Sequence, residues 1–231
     1  MLVGLAALLM LCACAQKREP SKRSSLTPPA SSLIPAGDAP ANVEARASGG
    51  DPFREGDLIF QTSRSAQSEA IQLATHSRFS HVGLVHLEDR RTFVYEAVGP
   101  VVLTPVAQFI TRGEGKHFVV MRLKDADERL TEDVVRRMQA VGQRFRGRPY
   151  DFAFEWSDDR IYCSELVWKI YKEAVGVELG RLQRLGDFDL ESSRVRDKLR
   201  ERYGARVPLD EPVISPAAIA DSPLLERVKE E

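Results

Sequence analysis

The spacing of apolar and polar residues changes twice along the chain and divides it into three parts. Residues 1–14 are almost continuously apolar, residues 15–50 follow no sustained period, and from residue 51 short strand-like runs lead into helical ones. Residues 57–62 read as a strand and 65–75 as a helix, with Ala66, Ala70, Leu73 and Ala74 on its inner face. Three short β-branched runs follow at 81–87, 92–98 and 101–104, separated by turn-like Glu88 to Arg91 and by Gly99-Pro100. A brief helix is expected from Pro105, and alternation at 117–123 predicts one more strand.

The later pattern is helical. Thr131 is an N-cap for apolar positions Val134, Val135, Met138, Val141 and Phe145, which keep a 3.6 period until Gly147 and Pro149 end it. Residues 163–175 form the next helix, 190–203 a charged amphipathic one, and Ser215-Pro216 opens a short last one with proline in its first turn. Strands first and helices later predict an α+β domain over 51–231, an antiparallel sheet packed against helices.

Composition narrows the class. With 231 residues, 43% hydrophobic and 29% charged, the chain can bury one full core. Its 33 basic and 34 acidic residues are interspersed, which gives no nucleic-acid footprint. The first 14 residues are too short an apolar run to span a bilayer but long enough for a signal peptide, although no Lys or Arg precedes them. Leu11-Cys12-Ala13-Cys14 resembles a bacterial lipobox, which implies acylation of Cys14 and a protein lipid-anchored in the bacterial cell envelope, on the periplasmic side or the cell surface. The Ser/Pro-rich residues 15–50, with Thr27-Pro28-Pro29-Ala30 and Ser48-Gly49-Gly50, then read as a disordered tether.

Two of the three cysteines lie in the leader, so Cys163 stands alone in the body of the chain. It begins an apolar helix, where unpaired N–H groups and the positive end of the helix dipole favour thiolate. A buried filler is the competing reading, because Cys163, Val167, Ile170 and Ala174 share one helical stripe. The best candidate base is His81, at the start of a strand. If Asp89-Arg90 is the hairpin turn, paired residue numbers sum to 179, and Glu96 falls on the face of His81 as its diagonal neighbour, with Gly83 leaving room. Cys163, His81 and Glu96 thus compose a nucleophile, its base and an orienting carboxylate, suited to acyl transfer through a thioester. The backbone N–H of Cys163 is one oxyanion donor; Tyr162 and Tyr150 are candidates for a second, or core aromatics. His76, His81 and His86 are evenly spaced but match no common metal motif, and His81 and His86 point to opposite strand faces. No metal and no cofactor is expected.

Three blocks resemble the NlpC-type cell-wall cysteine endopeptidases: Gly56-Asp57-Leu58-Ile59-Phe60, Ser80-His81-Val82-Gly83-Leu84-Val85 and Cys163-Ser164-Glu165-Leu166-Val167-Trp168. The cysteine block comes last, which resembles the circularly permuted papain-like amidases of the YaeF/YiiX type, as does Gly147-Arg148-Pro149-Tyr150-Asp151. The resemblance implies a permuted papain-like fold, Cys163 as nucleophile and His81 as base. Glu165 departs from the glycine of the unpermuted enzymes. The expected activity is cleavage of an amide or ester bond in cell-envelope peptides or N-acyl compounds. The alternatives are a lipid-directed thiol acyltransferase or thioesterase, as in the similarly arranged lecithin retinol acyltransferase group, and a silent lipoprotein that binds a peptide or partner.

Overall fold

In the computed structural model of the chain, residues 53–231 are described. The leader, Cys14 and the tether lie outside the described residues. The sheet is built from β1 (Leu58–Gln61), β2 (His81–Glu88), β3 (Arg91–Ala97), β4 (Val101–Pro105), β5 (Val119–Leu123) and β8 (Leu225–Glu230), in the order β4-β3-β2-β1-β5-β8. Every neighbouring pair is antiparallel. The β2–β3 turn places Asp89 and Arg90 at φ 49° and 61°, the two left-handed residues of a tight hairpin whose twist suits the strands. Glu88 therefore pairs with Arg91, Val85 with Val94 and Leu84 with Tyr95, the register that sums to 179.

All four residues of β1 are buried, because both faces of the sheet are covered. Leu58, Phe60, Val82 and Leu84 face the larger core with α5 (Cys163–Ile170) and α4 (Glu132–Phe145). Ile59, Val85 and Val94 face a smaller core with Phe109, from α2 (Val106–Arg112). Helix α5 is buried along its whole length. At about 1.5–3 kcal/mol for each large apolar side chain withdrawn from water, this burial is what holds the helix start against the strand ends. The helix is α-helical to Ile170 and continues as a π turn over Tyr171–Val175, ended by Gly176 at φ 76°. The Tyr171 hydroxyl donates to the Gly56 carbonyl at 2.5 Å, which ties that turn to the entry of β1.

Helix α1 (Ala66–Thr75), capped by Ser65, lies between β1 and β2 in the chain, and α3 (Ala126–Arg129) between β5 and α4; a strand pair β6 (Gln183–Arg184) and β7 (Pro212–Val213), α6 (Ser193–Tyr203) and α7 (Pro216–Ala220) follow α5. Three boundaries differ from the pattern. The strand expected at 117 begins at Val119, because Gly115 and Lys116 at φ 61° and 62° are still turning the chain. Helix α6 begins at Ser193 rather than 190, because the Asp189 N–H is bonded to the Ala74 carbonyl and keeps that segment extended. Strand β8 was not foreseen: only Leu225 in it is buried, and its charged residues cover an edge.

Candidate active site

The start of α5 meets the start of β2. The Cys163 thiol is hydrogen-bonded to the His81 imidazole, and the backbone N–H groups of Val82 and Ser164 also point at the sulfur. The other side of the ring is fixed by Glu96, whose Oε2 is 2.7 Å from His81 Nε2, leaving Nδ1 for the sulfur. Glu96 is fully buried. Its Oε1 accepts from Arg112 on α2, and Thr104 on β4 adds a hydrogen bond. Phe109 stacks under the imidazole, ring centroids 5.5 Å apart. Gly83 serves that packing: a Cβ there would stand 2.3 Å from Val94 Cγ1 and 3.4 Å from the Phe109 ring. The room at Gly83 is thus taken by the residues beneath His81.

The charges follow the geometry. Burial disfavours ionisation of both Cys163 and His81, but each favours the charged form of the other. The balance lowers the thiol from its ordinary value, with help from the two N–H groups, and raises the imidazole to about 9. Both shifts favour a thiolate–imidazolium pair. Burial also works against Glu96, yet His81, Thr104 and Arg112 outweigh it and hold the carboxyl below its usual range.

The two tyrosines part company. Tyr162 precedes α5, and its hydroxyl accepts the Ile214 N–H at 3.2 Å while Ser164 donates to the Ile214 carbonyl at 2.8 Å. It braces the 213–215 segment. Tyr150 accepts from Gln67 Nε2 at 2.9 Å, which leaves its own proton to donate. Burial and then the charge of Cys163 push its hydroxyl well above the ordinary tyrosine range, so it remains protonated, and it lines the same cavity as Cys163.

Two spaces open at the dyad. An apolar cavity, with about 680 Å³ between its lining atoms including the mouth, begins at Cys163 and is walled by Ala70, Ile71, Phe154, Val195, Leu199 and Val213 among others. On the His81 side lies a second cleft of about 1040 Å³, measured likewise, in which Gln61, Arg64, Ser80 and Arg112 stand beside Val98 and Phe152. Tyr150 and Gln67 border both. Arg112 and Gln67 are site residues that the sequence did not disclose; each lies on a helix whose docking onto the sheet end is a tertiary fact.

The remaining histidines are elsewhere. His76 caps α1 at φ 51° with Nε2 3.0 Å from Asp189, and His86 bonds Glu55 at 3.0 Å on the larger-core face. His117 precedes β5. Among the described residues no three His, Cys, Asp or Glu side chains are grouped as a metal site would need.

The sequence pattern of the permuted papain-like amidase enzymes, YaeF/YiiX, C92 family, matches residues 52–229. The chain is 48% identical over 176 residues to the uncharacterized protein YiiX of Escherichia coli strain K12, covering 76% of this chain and 86% of that protein. A crystal structure titled metalloprotein yiiX from Escherichia coli O157:H7 superposes with a TM-score of 0.74 at 48% identity, covering 77% of this chain and 97% of the other.

Proposed function

Since the chain belongs to the permuted papain-like amidases of the YaeF/YiiX type, we propose that it hydrolyses N-acyl amides through a Cys163 thioester, with His81 as base and acid and Glu96 as the residue that orients His81. The observation that carries this reading is the placing of the pair between two spaces, with Cys163 lining the apolar cavity and His81 lining the cleft. The acyl chain occupies the cavity. The amine portion lies in the cleft, where His81 can reach its nitrogen.

The thiolate attacks the carbonyl carbon, forming the S–C bond and an oxyanion. The Tyr150 hydroxyl, protonated and lining the same cavity as the sulfur, supplies one donor to that oxygen, and the N–H groups at the start of α5 supply the fixed dipole. The His81 imidazolium gives its proton to the departing nitrogen as the C–N bond breaks. Neutral His81 then takes a proton from water, which attacks the thioester and releases the acid and the thiolate. Glu96 holds the imidazole in one tautomer and stabilises its charged form throughout.

Incubation with an N-lauroyl amide, followed by mass spectrometry, tests the reading. Cys163 should carry the lauroyl group transiently and lauric acid should accumulate; a chain that forms neither adduct nor acid would overturn it. The apolar cavity also favours a second reading, transfer of the acyl group from a lipid ester to an amine, which the same experiment identifies by an amide product. We further place the protein in the bacterial cell envelope, anchored through Cys14, on the strength of the lipobox-like leader and the tether. There the cavity would meet lipid-derived substrates.

A further inference from the structure

We infer that the apolar cavity measures the acyl group, with α1 as its length and Phe188 as its far wall, so that chains of about ten to twelve carbons are taken and longer ones refused. This rests on the amidase reading above and names the class of its acyl group.

Helix α1 is the first observation. Gln67, Ala70, Ile71, Ala74 and Thr75 all line the cavity, and their spacing is that of one helical stripe, so the cavity runs along the helix. One end of the stripe lies at the dyad. Gln67 and Ile71 also border the cleft that His81 lines, and the Ser68 hydroxyl donates to that of Ser80, the residue before His81, at 2.6 Å. The other end lies at Phe188 and Asp189. There the Asp189 N–H donates to the Ala74 carbonyl at 3.0 Å, and the Asp189 carboxylate is 3.0 Å from His76 Nε2.

Phe188 is the second. Held in place by the two contacts of its neighbour Asp189, it lines the cavity and also an outer hollow bordered by His76, Asp187, Asp189 and Asp221. Ala74, Thr75 and Ser215 are shared by the same two spaces, while Cys163 lines the inner one alone. The ring therefore stands between an apolar interior and a polar exterior, at the end away from the sulfur. Its distance follows from the helix. Gln67 and Thr75 are eight residues apart (75 minus 67), which is about 12 Å at about 1.5 Å per residue. An extended alkyl chain, with bonds of about 1.5 Å at near-tetrahedral angles, advances about 1.25 Å per carbon, so about ten to twelve carbons, counted from the carbonyl at the sulfur, reach the wall.

Binding of saturated fatty acids, from octanoic to palmitic, to the full-length Cys163→Ala protein tests the measure without turnover. By calorimetry, affinity should rise about fourfold per added carbon as far as decanoic or lauric acid, and then fall about tenfold by palmitic acid. Two substitutions should move the maximum in opposite directions. Adding Phe188→Ala opens the wall and should shift it to myristic or palmitic acid; adding Ala74→Phe fills the far end and should shift it to octanoic acid. An affinity that climbs steadily to palmitic acid, or a maximum that neither substitution moves, would overturn the inference. If the maximum is present but Cys163 is never acylated by an N-lauroyl amide, the amidase reading fails and the measure remains. If wild type hydrolyses N-lauroyl and N-palmitoyl amides equally well, the measure fails and the amidase reading remains.

Discussion

Glu96 and Glu165 are both wholly buried glutamates, and burial pushes both towards the protonated form, yet their pKa values end up shifted in opposite directions. Glu96 keeps its charge because a histidine, a threonine hydroxyl and an arginine converge on it. Glu165, in the first turn of α5, is pushed up to about 7: burial dominates, although Lys169 lies 2.8 Å away and the Tyr162 N–H donates at 3.4 Å. Lys169 divides its donors among Glu165, the Ser157 carbonyl and Asp158, and the charge of Asp151 works against ionisation as well. The comparison teaches that depth does not decide the state of a carboxyl. The number and charge of its donors do, and here they assign one glutamate to the imidazole and the other to the scaffold.

The largest expected effect breaks the reactive pair itself. His81→Ala should reduce turnover by about ten thousandfold, close to the complete loss in Cys163→Ala, because nucleophile and base act as a unit. Alkylation of Cys163 against pH reads the same pair. In wild type the rate should rise at a pH below the free-thiol value of about 8.5 and change again near 9, as His81 gives up its proton. A single midpoint near 8.5, shared with His81→Ala, would return Cys163 to the role of a core residue.

Glu96→Gln sharpens the comparison at its functional end. It keeps the shape but not the charge, and kcat should fall about tenfold to a thousandfold, with the alkylation midpoint of Cys163 moving up towards the free thiol. Arg112→Met should have a smaller effect in the same direction, about three- to tenfold in kcat, since the guanidinium is 43% exposed and water can replace part of its role. An Arg112→Met enzyme with an unchanged thiol profile would mean that Arg112 does nothing for the charge of Glu96.

Glu165→Gln addresses the other carboxyl and should leave kcat within about threefold. Its signature is stability. A folded pKa of about 7 against an ordinary 4.5 means that the fold favours the protonated form. That contribution is complete below about 4.5 and is lost as pH rises through 7. Denaturant titrations should therefore show Glu165→Gln gaining on wild type by about 1–2 kcal/mol between pH 5 and pH 8. No change in the difference across that window would place the Glu165 charge on equal terms in the folded and unfolded chains.

Much of the reactive line was legible because it depends on local rules. The register that puts Glu96 beside His81 follows from a two-residue turn at Asp89-Arg90, and the thiol lies at a helix start defined by the apolar period of 163–170. What stayed hidden depends on packing between distant segments. Arg112 reaches Glu96 only because Phe109 anchors α2 under His81, and nothing in the spacing of 106–112 announces that face. The apolar cavity is assembled from α1, α5, α6 and the 213–216 segment, so no single stretch carries its outline. Tyr162 and Tyr150 were indistinguishable by sequence, and the Ile214 N–H and Gln67 amide tell them apart.

The late position of the nucleophile has a consequence for how the protein is born. His81, Glu96 and Arg112 lie in strands and a helix that are synthesised first, and Cys163 follows His81 by 82 residues (163 minus 81). At about 5–20 residues per second, a ribosome needs about four seconds or longer to cover that distance. The sheet β4-β3-β2-β1-β5 has every strand in hand before the thiol exists. In a nascent chain that folds in this order, the Cys163 sulfur emerges when its basic partner and the carboxylate are already in place.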